Sequence, residues 1–236
     1  MIQKLINFCK DIGVAICNRT HFDKLARKKF EIVIDNAERY DGVGLINLVK
    51  IIGKETQGYY MSQPLYYIDN NDVMRPNSIH GLFFDTNHII SDDGKSIDKY
   101  IKKVHNTRDI DFQNDLIIPL PRTNESLSNI LLKKEIFIDK NWREAKNHSI
   151  SFCLPMGIGC STHGHHSITA GVLAARGTMK NYTCYDYSEL FDYIYTDGVY
   201  FYRTENSSII ERVQNFDMAC IFEIGRIMKA NNVSAM

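Results

Sequence analysis

Two different rhythms of apolar residues divide this chain, and together they leave few folds open. In roughly the first 60 residues the apolar positions recur at the spacing of amphipathic helices. Ile2, Leu5, Ile6, Cys9 and Ile12 form one stripe, and Phe22, Leu25, Ala26, Phe30 and Val33 form another. The run VGLINLVKIIG continues the pattern, and Gly53 is expected to stop it. From residue 116 onward, short apolar runs alternate with helix-period segments. LIIPLP reads as a strand closed by Pro119 and Pro121. Thr123 or Asn124 then caps a helix carrying Leu127, Ile130 and Leu131. HSISFCLPMGIG reads as a strand, and SITAGVLAARG as a small-residue helix with Gly177 in the position after its end. MKNYTCYDY and VYFYR read as strands, SELFDYIYTDG as a short helix and SIIERVQNFDMACIFEIGRIMKAN as a long closing helix.

Between these rhythms, residues 63–95 read as loops with one or two short strands, and SIDKYIKKVHN as a short helix capped by Ser96. The polar stretch NTRDIDFQND places a soft boundary near residue 110. The expected architecture is α+β with mixed α/β character. A mainly helical region spans 1–110, and a small sheet with helices spans 111–236 and ends in a long C-terminal helix.

Composition narrows the function. The formal net charge is zero, which argues against coating nucleic acid by charge alone and leaves room for a local basic patch. No apolar run approaches the ~20 residues of a membrane span, so no membrane is expected as a partner. Lys10 and Asp11 interrupt the apolar N-terminus and no small-residue cleavage site follows, so a helix is expected there rather than a signal peptide. Cys9, Cys17, Cys153, Cys160, Cys184 and Cys220 contain no C-x-x-C pair. They read as reduced core thiols of a cytoplasmic protein, with no zinc site.

The segment GIGCSTHGHHSITAG carries the chemistry, with three of the eight histidines within four positions. A metal site fits poorly, because His163 and His165 fall on opposite sides of an extended chain and His165 and His166 are adjacent. An anion cradle fits better. A strand is expected to lead through STHGHHS into a helix starting near Ile168, whose free first-turn N–H groups favour phosphate. Gly164 permits close approach, Ser161, Thr162 and Ser167 offer hydroxyls, and the histidines offer donors. A histidine beside a bound phosphate can also act as acid, base or nucleophile, which makes His163, His165 and His166 the catalytic candidates. The plain alternative is a strand-to-helix turn capped by Ser167.

Residues 116–187 resemble the core of the ParB/sulfiredoxin superfamily. The likeness rests on Gly164, His165, His166 and Ser167 in the place of that family's G-x-H-R or G-x-R-R turn. Ala170 and Gly177 fall at the expected helix positions, and SLSNILLKKEIF stands where the family has its first helix. The resemblance implies a turn that binds a phosphate of a nucleoside triphosphate or lies beside DNA, with Gly164, His166 and Ser167 at the ligand. It also implies nuclease or NTPase chemistry, with magnesium as a candidate cofactor, in a bacterial, mobile-element or defence setting. Ser167 replaces the family's arginine, so Arg143 and Lys146 of NWREAKNHS are the candidates for the missing positive charge. LPRTNES puts Arg122, Asn124 and Glu125 at a helix start, and by the same likeness Glu125 is the acidic candidate. His165 stands at the sulfiredoxin cysteine position, so sulfinic-acid repair is not implied. The alternative to a nucleotide- or nucleic-acid-phosphate-binding hydrolase is a non-catalytic regulatory or assembly module. Its N-terminal helices would bind a protein partner or a second copy of the chain.

Overall fold

The computed structural model describes residues 2–66, 75–105, 107–132 and 142–235, and side chains from residue 19 onward. Two long helices come first, α1 (Ile2–Ala37) and α2 (Gly42–Tyr66). Then follow β1 (Lys102–Val104), β2 (Ile110–Asp111), β3 (Leu116–Ile118), α3 (Asn124–Leu131), β4 (Ser149–Leu154) and β5 (Ile158–His163). The chain continues with α4 (His165–Leu173), β6 (Thr178–Met179), β7 (Thr183–Asp186), β8 (Ile194–Thr196), β9 (Tyr200–Arg203), β10 (Ile209–Arg212) and α5 (Phe216–Ala230). The fold is α+β with N-terminal helices, as expected.

The central sheet has the order β1-β7-β4-β5-β3. Its β3–β5 and β4–β7 pairs are parallel, and its β1–β7 and β4–β5 pairs are antiparallel. A three-stranded antiparallel sheet, β10-β9-β8, and the pair β2-β6 flank it. On one face of the central sheet, Leu116, Ile118 and Cys160 pack with Leu45 and Val49 of α2 and Ile221 and Phe222 of α5. On the other face, Ile117, Ile150 and Phe152 pack with Ile168 of α4 and Phe112. All three residues of β3 are therefore buried, as expected for a strand covered on both sides. The free edge of β3 is covered as well, because Gln57 of α2 donates its amide to the Ile117 carbonyl at 2.6 Å. The boundary expected near residue 110 falls within β2, and the central sheet and larger apolar cluster draw on residues from both sides of it.

Several elements differ from expectation, each for a local reason. Gly53 does not end α2; it is buried where Leu116 occupies the space a side chain would need. SIDKYIKKVHN is not a helix but a single 3-10 turn, Ile97–Tyr100, followed by edge strand β1, whose Val104 lies opposite Cys184. The apolar pair Ile97 and Tyr100 is satisfied by one tight turn. SELFDYIYTDG likewise resolves into a 3-10 turn at Leu190–Asp192 and then β8. The closing helix begins only at Phe216, because Asn215 caps it by accepting from the Met218 N–H, and the residues before it form β10. HSISFCLPMGIG is strand β4, a turn containing Pro155, and the start of β5. α4 ends in a Schellman arrangement, with the Arg176 N–H bonded to the Gly171 carbonyl and the Ala175 N–H to that of Val172. Ala175, at φ +50°, takes the left-handed position expected for Gly177. Gly177 instead lies against the Trp142 ring.

α1 is held to the β8–β9 hairpin by Arg27 paired with Asp197 at 2.6 Å and by Asp23 paired with Arg212 on β10 at 2.6 Å. Between them, Phe30 is buried on Gly198, which has φ +80°. A Cβ at Gly198 would lie 2.7–2.8 Å from Phe30 atoms and would also force a left-handed alanine. Gly198→Ala is expected to cost about 2–4 kcal/mol in urea denaturation. A loss below about 0.5 kcal/mol would contradict this docking of α1, since that is the range of neutral surface changes.

Candidate functional site

The STHGHHS segment is not a loose turn. β5 runs through His163, α4 starts at His165, and Gly164 alone joins them at φ +70°. Ser161 and Thr162 are thus strand residues, and Ser167 lies within the helix, which starts three residues before the expected position at Ile168. A side chain at Gly164 would strike His148 and the Asn147 carbonyl, so this glycine serves the local packing and not the approach of a ligand. Ser167 is likewise engaged, since Trp142 Nε1 donates to its carbonyl at 2.8 Å and to its hydroxyl at 3.1 Å. Trp142 in turn stacks on His148, with ring centroids 4.8 Å apart.

The segment that follows β3 organises the site. In Pro119-Leu120-Pro121-Arg122 only Leu120 and Arg122 carry a backbone N–H. The Leu120 N–H donates to Ser161 Oγ at 3.0 Å, and the Arg122 N–H donates to His166 Nε2 at 3.1 Å. Ser161 Oγ also lies 2.7 Å from His165 Nδ1. Ser161 Oγ, which accepts from Leu120, still has its own proton to give; when that proton goes to Nδ1, the imidazole proton of His165 lies on Nε2. That Nε2 is buried and has no hydrogen-bond partner among the described residues. Thr169 closes the first turn of α4 by donating to the His165 carbonyl at 2.7 Å.

His165 borders a cavity of about 390 Å³ at the carboxyl ends of the parallel strands β3 and β5, the place where open sheets hold ligands. Arg75, Arg122, Ser161, Thr162 and Ser78 share its wall, and among the described residues no carboxylate does. Arg75 Nη2 donates to the Arg122 carbonyl at 2.5 Å, which fixes one guanidinium beside the backbone of the other arginine. Charge and burial act together here. Burial first, then Arg122, His166, His163 and Arg75, pull the His165 pKa down to about 4. His166 is lowered by burial and by the two arginines, and Arg75 by burial and by Arg122.

The candidates from sequence therefore separate. Ser161, Thr162 and His165 line the cavity, and His166 braces it from α4. His163 is exposed at the end of β5, and Gly164 and Ser167 face the Trp142–His148 side. Arg143 and Lys146 are exposed in the segment before β4, and Glu125 is exposed in the first turn of α3; none of the three borders the cavity. The positive charge comes instead from Arg75 and Arg122. Arg122 was visible next to the helix cap, but Arg75 carried no local signal. Among the described residues, no group of three or more His, Cys, Asp or Glu side chains is arranged to hold a metal ion, and no helix is long and apolar enough to cross a membrane.

Fold and site together define an α+β protein with a cation-walled cavity at the carboxyl ends of a parallel strand pair. Residues 16–235 match the model of a family of unknown function (DUF6710), and the chain belongs to that family. No curated protein and no solved structure matches it.

The lowered histidine pKa values set the pH response. An unfolded histidine titrates near ~6.5, whereas His165 titrates at about 4 and His80, His148 and His166 are also lowered, chiefly by burial. Between these values the unfolded chain binds more protons at these histidines, so their contribution to stability is full above about pH 6.5 and is lost as the pH drops toward 4. Urea midpoints measured from pH 7 to pH 4.5 should decline, and His165→Gln should flatten the slope. A His165 resonance titrating near 6.5 in NMR would contradict the assignment.

Proposed function

We propose that this protein binds a phosphate-bearing ligand, a nucleotide or a nucleic-acid phosphate, in the cavity between Arg75, Arg122 and His165. The observation that carries the reading is the buried His165 Nε2, which has no hydrogen-bond partner among the described residues. A buried polar atom without a partner is costly, and with Ser161 donating to Nδ1 it is an N–H that an anionic oxygen would satisfy. Two guanidinium groups beside it match phosphate by geometry as well as charge.

Hydrolysis is the reaction to test, as an NTPase or a nuclease. A water oxygen would bond to phosphorus as the bond to the leaving oxygen breaks. His165 would hold a phosphoryl oxygen by hydrogen bond, and the proton shed by the attacking water would pass through solvent to the leaving oxygen. A magnesium ion would enter with the nucleotide. A cytoplasmic setting suits the four buried thiols Cys153, Cys160, Cys184 and Cys220, none of which forms a disulfide.

A ligand at a hundredfold excess over its Kd should raise the melting temperature by roughly 5–10 °C. Inorganic phosphate and nucleoside triphosphates are the first probes, and His165→Ala and Arg122→Ala should each abolish the shift. An undiminished shift in both variants would sink the proposal. Phosphate release that survives in His165→Ala would remove the catalytic part alone.

One observation favours the second reading, an assembly module. Ile32, Val43, Ile51 and Tyr66 stand exposed along α1 and α2, with Ile51 at 72% and Tyr66 at 75%. If that surface pairs two copies, the mass by light scattering should double with concentration in the native chain and not in Ile51→Lys. A single concentration-independent mass in both proteins would dismiss self-association.

A further inference from the structure

A second, larger cavity of about 1080 Å³ lies between α1, α2, the β8–β9 turn and the start of α5. Arg75 and Pro76 line both this groove and the smaller cavity at His165. We infer that the two form one binding site with Arg75 as the shared wall. It would take a small phosphomonoester whose phosphate lies against His165 and whose uncharged, ring-bearing body lies in the groove. This rests on the phosphate-binding reading of the small cavity and adds the class of molecule that carries the phosphate.

Two features of the groove support this. The first is its charge, which differs from that of the small cavity. Asp23, Glu55 and Asp217 oppose Lys29, Arg75 and Arg212, so the acidic and basic groups balance. Asp23 and Arg212 are paired at 2.6 Å, and Asp217 accepts from the Thr56 hydroxyl at 3.1 Å. One phosphate is therefore well served at the Arg75 end. The further phosphates of a polynucleotide, running into the groove, would meet Glu55 and Asp217 without a matching excess of cations. The second feature is the placing of aromatic rings. Tyr59 of α2 is 52% exposed and Phe22 of α1 is 65% exposed, and both line the groove. Tyr59 is also set edge-on to Tyr60, ring centroids 5.2 Å apart, which steadies it. Exposed rings on two helices facing one groove offer flat surfaces to a planar heterocycle, and such stacking raises affinity for a base by about tenfold or more.

Isothermal titration calorimetry on the full chain tests this with inorganic phosphate, the common nucleoside monophosphates and an oligothymidylate without a terminal phosphate. At least one monophosphate should bind about tenfold more tightly than inorganic phosphate. Tyr59→Ala, or Phe22→Ser as a second surface variant, should reduce that monophosphate to the affinity of inorganic phosphate. The oligothymidylate should not displace it. Phosphate and all monophosphates binding equally, with binding still lost in His165→Ala, would overturn this inference and leave the small-cavity reading standing. So would an advantage that persists in both groove variants, or an oligothymidylate that outcompetes the monophosphate. If neither phosphate nor any monophosphate binds, both readings fall.

Discussion

Two backbone N–H groups, those of Leu120 and Arg122, hold the site together. Prolines at 119 and 121 remove the neighbouring donors and favour an extended path, so only these two N–H groups are left to hold the chain leaving β3 by donation. Both are taken by side chains from the β5–α4 junction, Ser161 and His166. The parallel pairing of β3 with β5 makes this possible, since it sets residues some forty positions apart side by side at the same sheet end. The rest follows in sequence. Ser161 Oγ is set 2.7 Å from His165 Nδ1, and the Arg122 carbonyl is presented to Arg75. Each link is an ordinary hydrogen bond, and together they tie the end of β3 to the β5–α4 junction and to Arg75.

Much of the fold was legible because its signals are local. Helical periodicity marked α1 and α2, the buried run at 116–118 marked β3, and Thr123 caps α3 by accepting from the Ser126 N–H. The misreadings share one cause, because apolar spacing over five to ten residues does not distinguish a helix from a tight turn followed by a short strand. Ile97 and Tyr100, or Leu190 and Ile194, satisfy either pattern. Gly53 and Gly177 read as stops because glycine disfavours regular structure, but both are fixed by distant partners, Leu116 and Trp142.

The site was half legible, and the division is equally physical. The histidine cluster stood out because its residues are adjacent in the chain. Its cationic wall did not, because Arg75 is joined to Arg122 across 47 positions by a hydrogen bond to a carbonyl, a group every residue carries. Arg143 and Lys146, close in sequence to β4, were the natural substitutes, but that segment turns instead toward the back of α4, where Trp142 and His148 pack. Nearness in sequence marked the histidine cluster; tertiary pairing decides which charges lie beside it.

The electrostatics of the cavity give the arrangement a direction. Arg75, His165 and His166 are all lowered, by burial and by one another's positive charge or that of Arg122. Burial and mutual repulsion thus both set this volume against added positive charge. The same potential that opposes a proton on His165 attracts an anion, and an anion placed there would oppose the lowering and raise the His165 pKa. Binding and protonation would then be linked: an anion held by Arg75 and Arg122 would make His165 a better proton acceptor than it is alone.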